Sequence, residues 1–105
     1  MSKQVVVQFT YPSAEASSFN MEYYVNKHIP LIEKLWGPQG VVSWIVATGD
    51  KDAGYHVQAT LVWESIEAFE NLTKVEEVVG DGKNFTDVAP TRTVGFLVGQ
   101  GTVVK

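Results

Sequence analysis

The stretch VVSWIVATGDKDAGYHVQATLVW, residues 41–63, contains two apolar runs separated by a short polar segment. In the second run, residues 55–63, every second position is apolar and belongs to one face: Tyr55, Val57, Ala59, Leu61 and Trp63. This alternation is typical of a strand with one buried face. The first run, residues 41–48, is too apolar to be exposed on both faces and is also predicted as a strand. Residues 49–54, GDKDAG, are predicted to connect the two strands as a hairpin.

The segment before this hairpin predicts a strand and a helix. Residues 4–10, QVVVQFT, are β-branched and aromatic with period-two alternation, and residues 11–18 are predicted as a loop. From Met21 to Trp36, apolar residues recur at helical spacing, and Asn20 is suited to cap the first turn. Pro30 lacks a backbone N–H, so we expect a kink or a local break near His28.

The segment after the hairpin predicts one more helix and one more strand. Ser65 can cap a helix whose buried stripe comprises Ile66, Phe69, Leu72 and Val75 or Val79. Residues 80–90, GDGKNFTDVAP, are glycine-rich and polar and predict a loop around an isolated Phe85. Residues 91–104 predict a last strand, interrupted by glycines.

The order βαββαβ is the split βαβ arrangement, an α+β ferredoxin-like fold with a four-stranded antiparallel sheet and two helices on one face. The helix-free face of the sheet is predicted to carry Gln4, Val6, Gln8, His56, Gln58, Thr60 and Val62. This surface is too apolar for water and too polar for a dry core. We therefore expect a second copy of the sheet to cover it, giving a homodimer.

Length and composition restrict the function. The 105 residues predict a single domain, 1–105, and 8 Lys and Arg against 12 Asp and Glu give a net charge of −4, which argues against nucleic-acid binding. The absence of cysteine excludes thiolate nucleophiles and cysteine-ligated metals. Two histidines without ligand spacing argue against a metal site, and no nucleotide motif is present, so no cofactor is expected. No apolar run reaches membrane-spanning length and no signal peptide is recognised, which predicts a cytoplasmic protein.

Two groups of polar residues are candidates for chemistry. Tyr24 and His28 are four residues apart on the first helix and can face one cavity, where an imidazole is suited to general base catalysis and a phenol to holding a substrate oxygen. Both could equally be helix residues with satisfied hydrogen bonds. In the 80–90 loop, Asp81, Asn84 or Asp87 could hold His28 in one tautomer or bind a substrate hydroxyl, and Asp81 or Asn84 is favoured for this role. The same loop residues also form ordinary turns, with Phe85 as a core anchor or part of a lid.

Other aromatic and imidazole groups have weaker support. Trp36, Trp44 and Trp63 could line an aromatic pocket, although packing alone explains three large rings in a small core. Tyr23 and Phe85 are further candidates for substrate binding. His56 is predicted on the helix-free face, where an interface hydrogen bond is favoured over catalysis.

The helix and loop residues together resemble a known family. The pattern F-N-x-x-Y-Y-x-x-x-H-x-P-L-x-x-x-L-x-G-x-x-G, from Phe19 to Gly40, and the later D-x-x-N-F segment of Asp81, Asn84 and Phe85 resemble the EthD-like family, named for ethyl tert-butyl ether degradation. The segment SIEAF, residues 65–69, resembles the start of the family's second helix. The resemblance covers nearly the whole chain.

The resemblance implies a dimeric α+β barrel, in agreement with the face argument, and it adds weight to His28, Tyr24 and Asp81 as catalytic residues. Members of the superfamily do not share one reaction, so the fold does not select the chemistry. The leading hypothesis is proton transfer on a hydrophobic or aromatic substrate by a dehydratase, an isomerase or a cofactor-independent oxygenase. The alternatives are a non-catalytic dimeric protein that binds a hydrophobic ligand or assists an oxidative degradation system, and haem binding through His28 or His56.

Overall fold

The computed structural model of the chain describes residues 3–13 and 18–104 and places four strands in one antiparallel sheet. The strands follow the spatial order β2-β3-β1-β4, with β1 and β3 in the centre. Their bounds are Val5–Pro12 for β1, Val41–Thr48 for β2, Tyr55–Trp63 for β3 and Thr91–Phe96 for β4. With helices between β1 and β2 and between β3 and β4, the predicted ferredoxin-like βαββαβ fold is confirmed.

The hairpin formed by β2 and β3 has the predicted bounds, and the inward face of β3 has the predicted residues. Val57, Ala59, Leu61 and Trp63 are completely buried, as are Val5 and Val7 of β1. β1 and β3 pair in register from Val5 opposite Trp63 to Tyr11 opposite Val57. The alternation places these residues under the helices because successive side chains of a strand point to opposite faces.

The first strand is longer than predicted. β1 continues to Pro12, and Tyr11, which we expected in a loop, is buried with 4% of its surface exposed. Tyr11 continues the inward alternation of the strand, and the register shifts between Tyr11 and Pro12. Of the predicted loop over residues 11–18, positions 14–17 lie outside the described residues.

The first helix is interrupted where Pro30 predicted a break. Helix α1, Met21–Tyr23, leads into a π-helical turn, Tyr24–His28, and then into α2, Ile29–Trp36. The N–H of Ile29 donates to the carbonyl of Tyr24, five residues back, and Pro30 has no N–H to continue the α pattern in this turn. Widened turns of this kind are frequent at functional sites.

The second predicted helix is two short helices, and the expected single stripe was wrong in its C-terminal half. Helices α3, Ile66–Glu70, and α4, Val75–Gly80, are separated by a left-handed residue, Lys74, at φ 60°. This break rotates α4, so that Val78 is buried while Val75 and Val79 are exposed. Ser65 caps α3 as predicted, accepting from the N–H of Ala68.

The C-terminal strand is shorter than predicted. β4 ends at Phe96, opposite Val5 at the start of β1, and the N–H of Leu97 donates to the carbonyl of Gln4. Beyond this point β1 offers no further strand residues to pair with, so residues 97–104 have no strand structure.

The helix-free face of the sheet carries polar side chains that are hydrogen-bonded to one another. The amide of Gln8 donates to Thr60, and the amide of Gln58 donates to Thr10. The prediction for His56 was wrong in one respect, because its ring contacts the buried Phe19 edge-on, with ring centroids 5.4 Å apart. The irregular pairing at this end of β1 and β3 gives the ring access to the core side.

Candidate functional site

A cavity of about 410 Å³ lies between the helical segment, β1 and the 80–90 loop. This volume falls in the usual range for small-molecule sites, roughly 300–1,000 Å³. The helical side contributes Tyr24, His28, Ile32 and Trp36, and β1 contributes Phe9 and Tyr11. The 80–90 loop contributes Lys83, Phe85 and Asp87 among others, and Val78 and Val79 of α4 complete the wall.

His28 is a buried polar side chain in the cavity wall, with 5% of its surface exposed. Its Nδ1 lies 2.9 Å from Oδ2 of Asp81, which belongs to a 3₁₀ turn, Asp81–Asn84, at the start of the loop. A carboxylate can only accept, so this contact places the imidazole proton on Nδ1. Nε2 has no hydrogen-bond partner among the described residues and keeps its lone pair for the cavity.

The pKa values of the two groups favour this protonation state. Burial lowers the pKa of His28, and the opposing effects of the hydrogen bond and charge of Asp81 are smaller, so the imidazole is neutral at neutral pH. Burial raises the pKa of Asp81, but hydrogen bonds from Tyr23, His28 and Asn84 outweigh it and lower the pKa below its usual range. The pair is therefore a neutral imidazole beside a carboxylate, which is the resting state of an oriented general base.

Asp81 is itself held by two further side chains. The hydroxyl of Tyr23 donates to Oδ1 of Asp81 at 2.7 Å, and the amide of Asn84 donates to the same oxygen at 2.9 Å. The Asn84 amide is also 3.2 Å from the Tyr23 hydroxyl. The structure therefore places Tyr23 and Asn84, which we predicted as substrate-binding residues, against Asp81 and outside the cavity wall.

Tyr24 is stacked on His28 inside the widened turn. The two rings have an interplanar angle of 22° and centroids 5.3 Å apart, and Tyr24 is 1% exposed. Its ring contacts that of Tyr11 on β1, with centroids 5.7 Å apart, and both rings line the cavity. Burial raises the pKa of Tyr11 to about 12 and raises that of Tyr24 further, so both phenols stay protonated.

Phe85 connects the loop to the helical segment. Its ring is 4.5 Å from that of His28 and 4.8 Å from that of Tyr24, centroid to centroid. Its carbonyl accepts from the N–H of Asn20, just before α1, at 2.8 Å. Phe85 is 3% exposed and lines the cavity, so it both anchors the loop and contributes apolar wall.

The three tryptophans predicted at the pocket separate in the structure, and Trp44 lies outside this cavity wall and donates its indole N–H to Glu33. Trp36 lines the cavity and donates its indole N–H to the carbonyl of Thr73. Trp63 lies outside the cavity wall, completely buried between Trp36 and Phe69, and its Nε1 has no hydrogen-bond partner in residues 3–13 and 18–104. Sequence reasoning missed Tyr11, although the period-two alternation from Val5 through Phe9 extends to it.

Two kinds of functional feature, a metal-binding cluster and a membrane-spanning helix, do not occur in the described residues. Within residues 3–13 and 18–104, no three histidine, aspartate or glutamate side chains are grouped to hold a metal ion. Over the same ranges, each helix falls short of the length and apolar character needed to cross a membrane.

Comparisons with protein-family models and with curated proteins gave no match to this chain. Solved structures do match. An EthD-like protein from Ralstonia eutropha JMP134 is 22% identical, with a TM-score of 0.82 over 97% of this chain and 98% of that chain. A dimeric ferredoxin-like protein from an uncultured marine organism is 14% identical, with a TM-score of 0.68 over 95% of this chain and 100% of that chain.

A third structure, SnoaB from Streptomyces nogalater, is described as a cofactor-independent oxygenase. It is 12% identical, with a TM-score of 0.56 over 100% of both chains. These likenesses show that the chain has the fold of EthD-like and dimeric ferredoxin-like proteins. The structural resemblance to EthD-like proteins that the motifs indicated is thereby confirmed.

Proposed function

We propose, on the premise of this EthD-like ferredoxin fold, that the chain is an enzyme that removes a proton from a hydrophobic or aromatic small molecule. The observation that carries the proposal is His28, which lines a mostly apolar cavity and is hydrogen-bonded through Nδ1 to Asp81 behind the cavity wall. His28 and Tyr24 are the groups that would touch substrate. Asp81 would act through His28 and is a positioning residue.

The chemistry follows from the free nitrogen of His28. Nε2 would accept the proton of a C–H bond next to a carbonyl, or of a phenol, while Nδ1 keeps its hydrogen bond to Asp81. The electron pair of the C–H bond forms a C=C bond, and the carbonyl pair moves onto oxygen to give an enolate. Asp81 stabilises the imidazolium that results, and the hydroxyl of Tyr24 stabilises the oxyanion. This step serves an isomerase, a dehydratase or a cofactor-independent oxygenase.

The Asp81→Asn variant tests this assignment. The assay follows exchange of C–H for C–D in D₂O by NMR, with a panel of hydrophobic aryl ketones, and oxygen uptake with a matching panel of phenols. We expect the plateau rate to fall on the order of 10- to 100-fold, because the amide introduced at position 81 can donate to Nδ1 and leave the imidazole proton on Nε2.

The pH profile gives a second readout of the same variant. Neutral His28 is the active form, so the rate falls as the pH drops through its pKa. Asp81 raises the pKa of His28, and its loss should move this limb to lower pH. Asp52→Asn is the matched control, since Asp52 is exposed in the connection between β2 and β3 and does not line the cavity. An Asp81→Asn profile identical to that of the control would remove Asp81 from the mechanism.

A second candidate is a non-catalytic protein that binds a hydrophobic ligand, and the apolar character of the cavity wall favours it. The same panel separates the two. If ketones and phenols bind to the cavity but neither exchange nor oxygen uptake exceeds the solution background, binding without catalysis is the function.

We also propose that two copies associate through the helix-free face of the sheet. Its polar groups already bond to one another, so covering them leaves few unsatisfied donors. Ile45 of β2 pairs with Thr60 and has 69% of its surface exposed on this face. Val6 and Val62, which pair with each other on the same face, are only half-buried, so the face combines several apolar side chains with a self-satisfied polar patch and favours an interface.

The dimer is tested by Ile45→Lys, which introduces a charge on this face without disturbing the core. We expect the variant to elute and scatter light as a monomer of half the wild-type mass. Val25→Lys is the control, since Val25 is a partly exposed valine on the helical side. A variant that keeps the wild-type mass would place the interface elsewhere.

A further inference from the structure

We propose that Tyr11 and Tyr24 together form an oxyanion-binding pair, and that this protein therefore takes substrates whose oxygen carries negative charge in the reaction, namely phenols and enolisable ketones. The inference relies on the proposed function only for the identity of the proton acceptor, His28. The oxyanion-binding site itself does not depend on that function. It assigns a role to Tyr11, the inward-facing residue at the end of β1.

The position of the two phenols carries the first step. Tyr24 touches both His28 and Tyr11, with centroid distances of 5.3 Å and 5.7 Å. Phe85 contacts all three rings and closes the group on the loop side. Tyr11, Tyr24 and His28 thus form one contiguous part of the cavity wall.

The hydrogen-bond capacity of the pair carries the second step. Each phenol has one proton to donate, and when one hydroxyl donates to the other, one proton remains for a third oxygen. Among the described residues, the indole nitrogen of Trp63 is the only buried side-chain nitrogen or oxygen without a hydrogen-bond partner. The two phenol hydroxyls are therefore not buried and unsatisfied. The two phenols can therefore present a donor to the cavity that is oriented by its neighbour.

The apolar surroundings carry the third step. Hydrogen bonds to an anion are stronger than those to a neutral group, and they gain further where water is excluded. Both phenols are nearly completely buried, so the pair should favour an anionic oxygen over its neutral form. Lys83, which also lines the cavity, is the rival explanation for any such preference.

The test uses 4-nitrophenol, whose absorbance shows whether the bound molecule is ionised, and 4-nitroanisole as the matched neutral ligand. We expect wild-type protein to bind nitrophenol in its ionised form at pH values where the free molecule is still neutral. Tyr11→Phe and Tyr24→Phe should each weaken phenolate binding about tenfold and reduce the ionised fraction, while nitroanisole binding changes less than about twofold. Lys83→Gln tests the rival explanation, because the phenol pair predicts that this variant still binds nitrophenol in its ionised form. Lys27→Gln, at an exposed position outside the cavity wall, is the control and should leave the ionised fraction unchanged.

The outcomes separate the inference from the proposed function. If Lys83→Gln abolishes the preference and the Tyr→Phe variants keep it, or if all variants bind both ligands as wild type does, the phenol pair is not the oxyanion site. If the Tyr→Phe variants lose phenolate binding but a His28→Gln variant exchanges ketones at the wild-type rate, the oxyanion site stands and His28 is not the base. Each Tyr→Phe variant loses only a hydroxyl and should therefore fold. Circular dichroism checks this for every variant.

Discussion

Replacing His28 by glutamine is expected to reduce the rate of proton exchange by 10²- to 10⁴-fold, on the order of what a positioned general base contributes. Glutamine is close to histidine in size and its amide can still donate to Asp81, so the wall of the cavity is retained. It has no nitrogen lone pair that can accept a proton at neutral pH. The loss should therefore appear in kcat, with KM for the ketone changed much less.

The control for this variant is Lys27→Gln, the same replacement residue at the exposed neighbouring position of the widened turn. It should exchange the same ketone at the wild-type rate. A His28→Gln protein that binds ketone and keeps the wild-type kcat would show that the cavity does not use His28 as its base.

Replacing Trp63 by alanine is expected to lower the free energy of unfolding by about 3–5 kcal/mol, the usual cost of removing a completely buried large aromatic side chain. Trp63 lies opposite Val5 and Val41 at the end of β3, and its ring contacts Trp36 and Phe69. The free energy of unfolding of a small domain is about 5–15 kcal/mol, so this loss is a large share of the total stability. Urea denaturation followed by circular dichroism, at one fixed protein concentration, measures it.

Trp63→Phe refines this prediction. The indole N–H of Trp63 is buried without a partner, and phenylalanine removes that unsatisfied donor while retaining most of the ring contacts. We expect it to cost less than about 2 kcal/mol. Trp44→Ala is the control, since Trp44 is partly exposed and bonds to Glu33 on the surface. Equal losses for the two alanine variants would mean that Trp63 does not anchor the core.

The elements that alternation defines were predictable to the residue. The bounds of β2 and β3 follow from two apolar runs and a polar connection, because burial of one face imposes period two on the sequence. The break between α3 and α4 was not predictable, since its causes are distant in the chain. Gln39 accepts from the N–H of Thr73 at 2.8 Å, and Trp36 donates to the carbonyl of the same residue. These contacts hold the chain just before the left-handed Lys74, which local propensity does not indicate.

The candidate site was likewise predictable from the sequence only in part. Helical spacing was enough to place Tyr24 beside His28, but the choice between Asp81 and Asn84 as the partner of the imidazole depends on how a loop more than fifty residues away folds back. Tyr11 was hidden by its neighbour Pro12, which suggested that the strand had already ended. Only the packing of β1 under the 80–90 loop shows that its side chain reaches the cavity.

The widened turn at Tyr24–His28 separates the register of the helix before it from the register after it. A π-helical turn holds one residue more than an α-helical turn over the same rise. Deleting a single residue within it would restore the α-helical pitch and rotate the segment before the deletion by about 100° relative to α2. Tyr23, which precedes the turn and donates to Asp81 in the present register, would then point away from that carboxylate, although the sheet would be unchanged. A one-codon insertion in an ordinary helix is thus a short evolutionary route from a structural scaffold to a site of this kind.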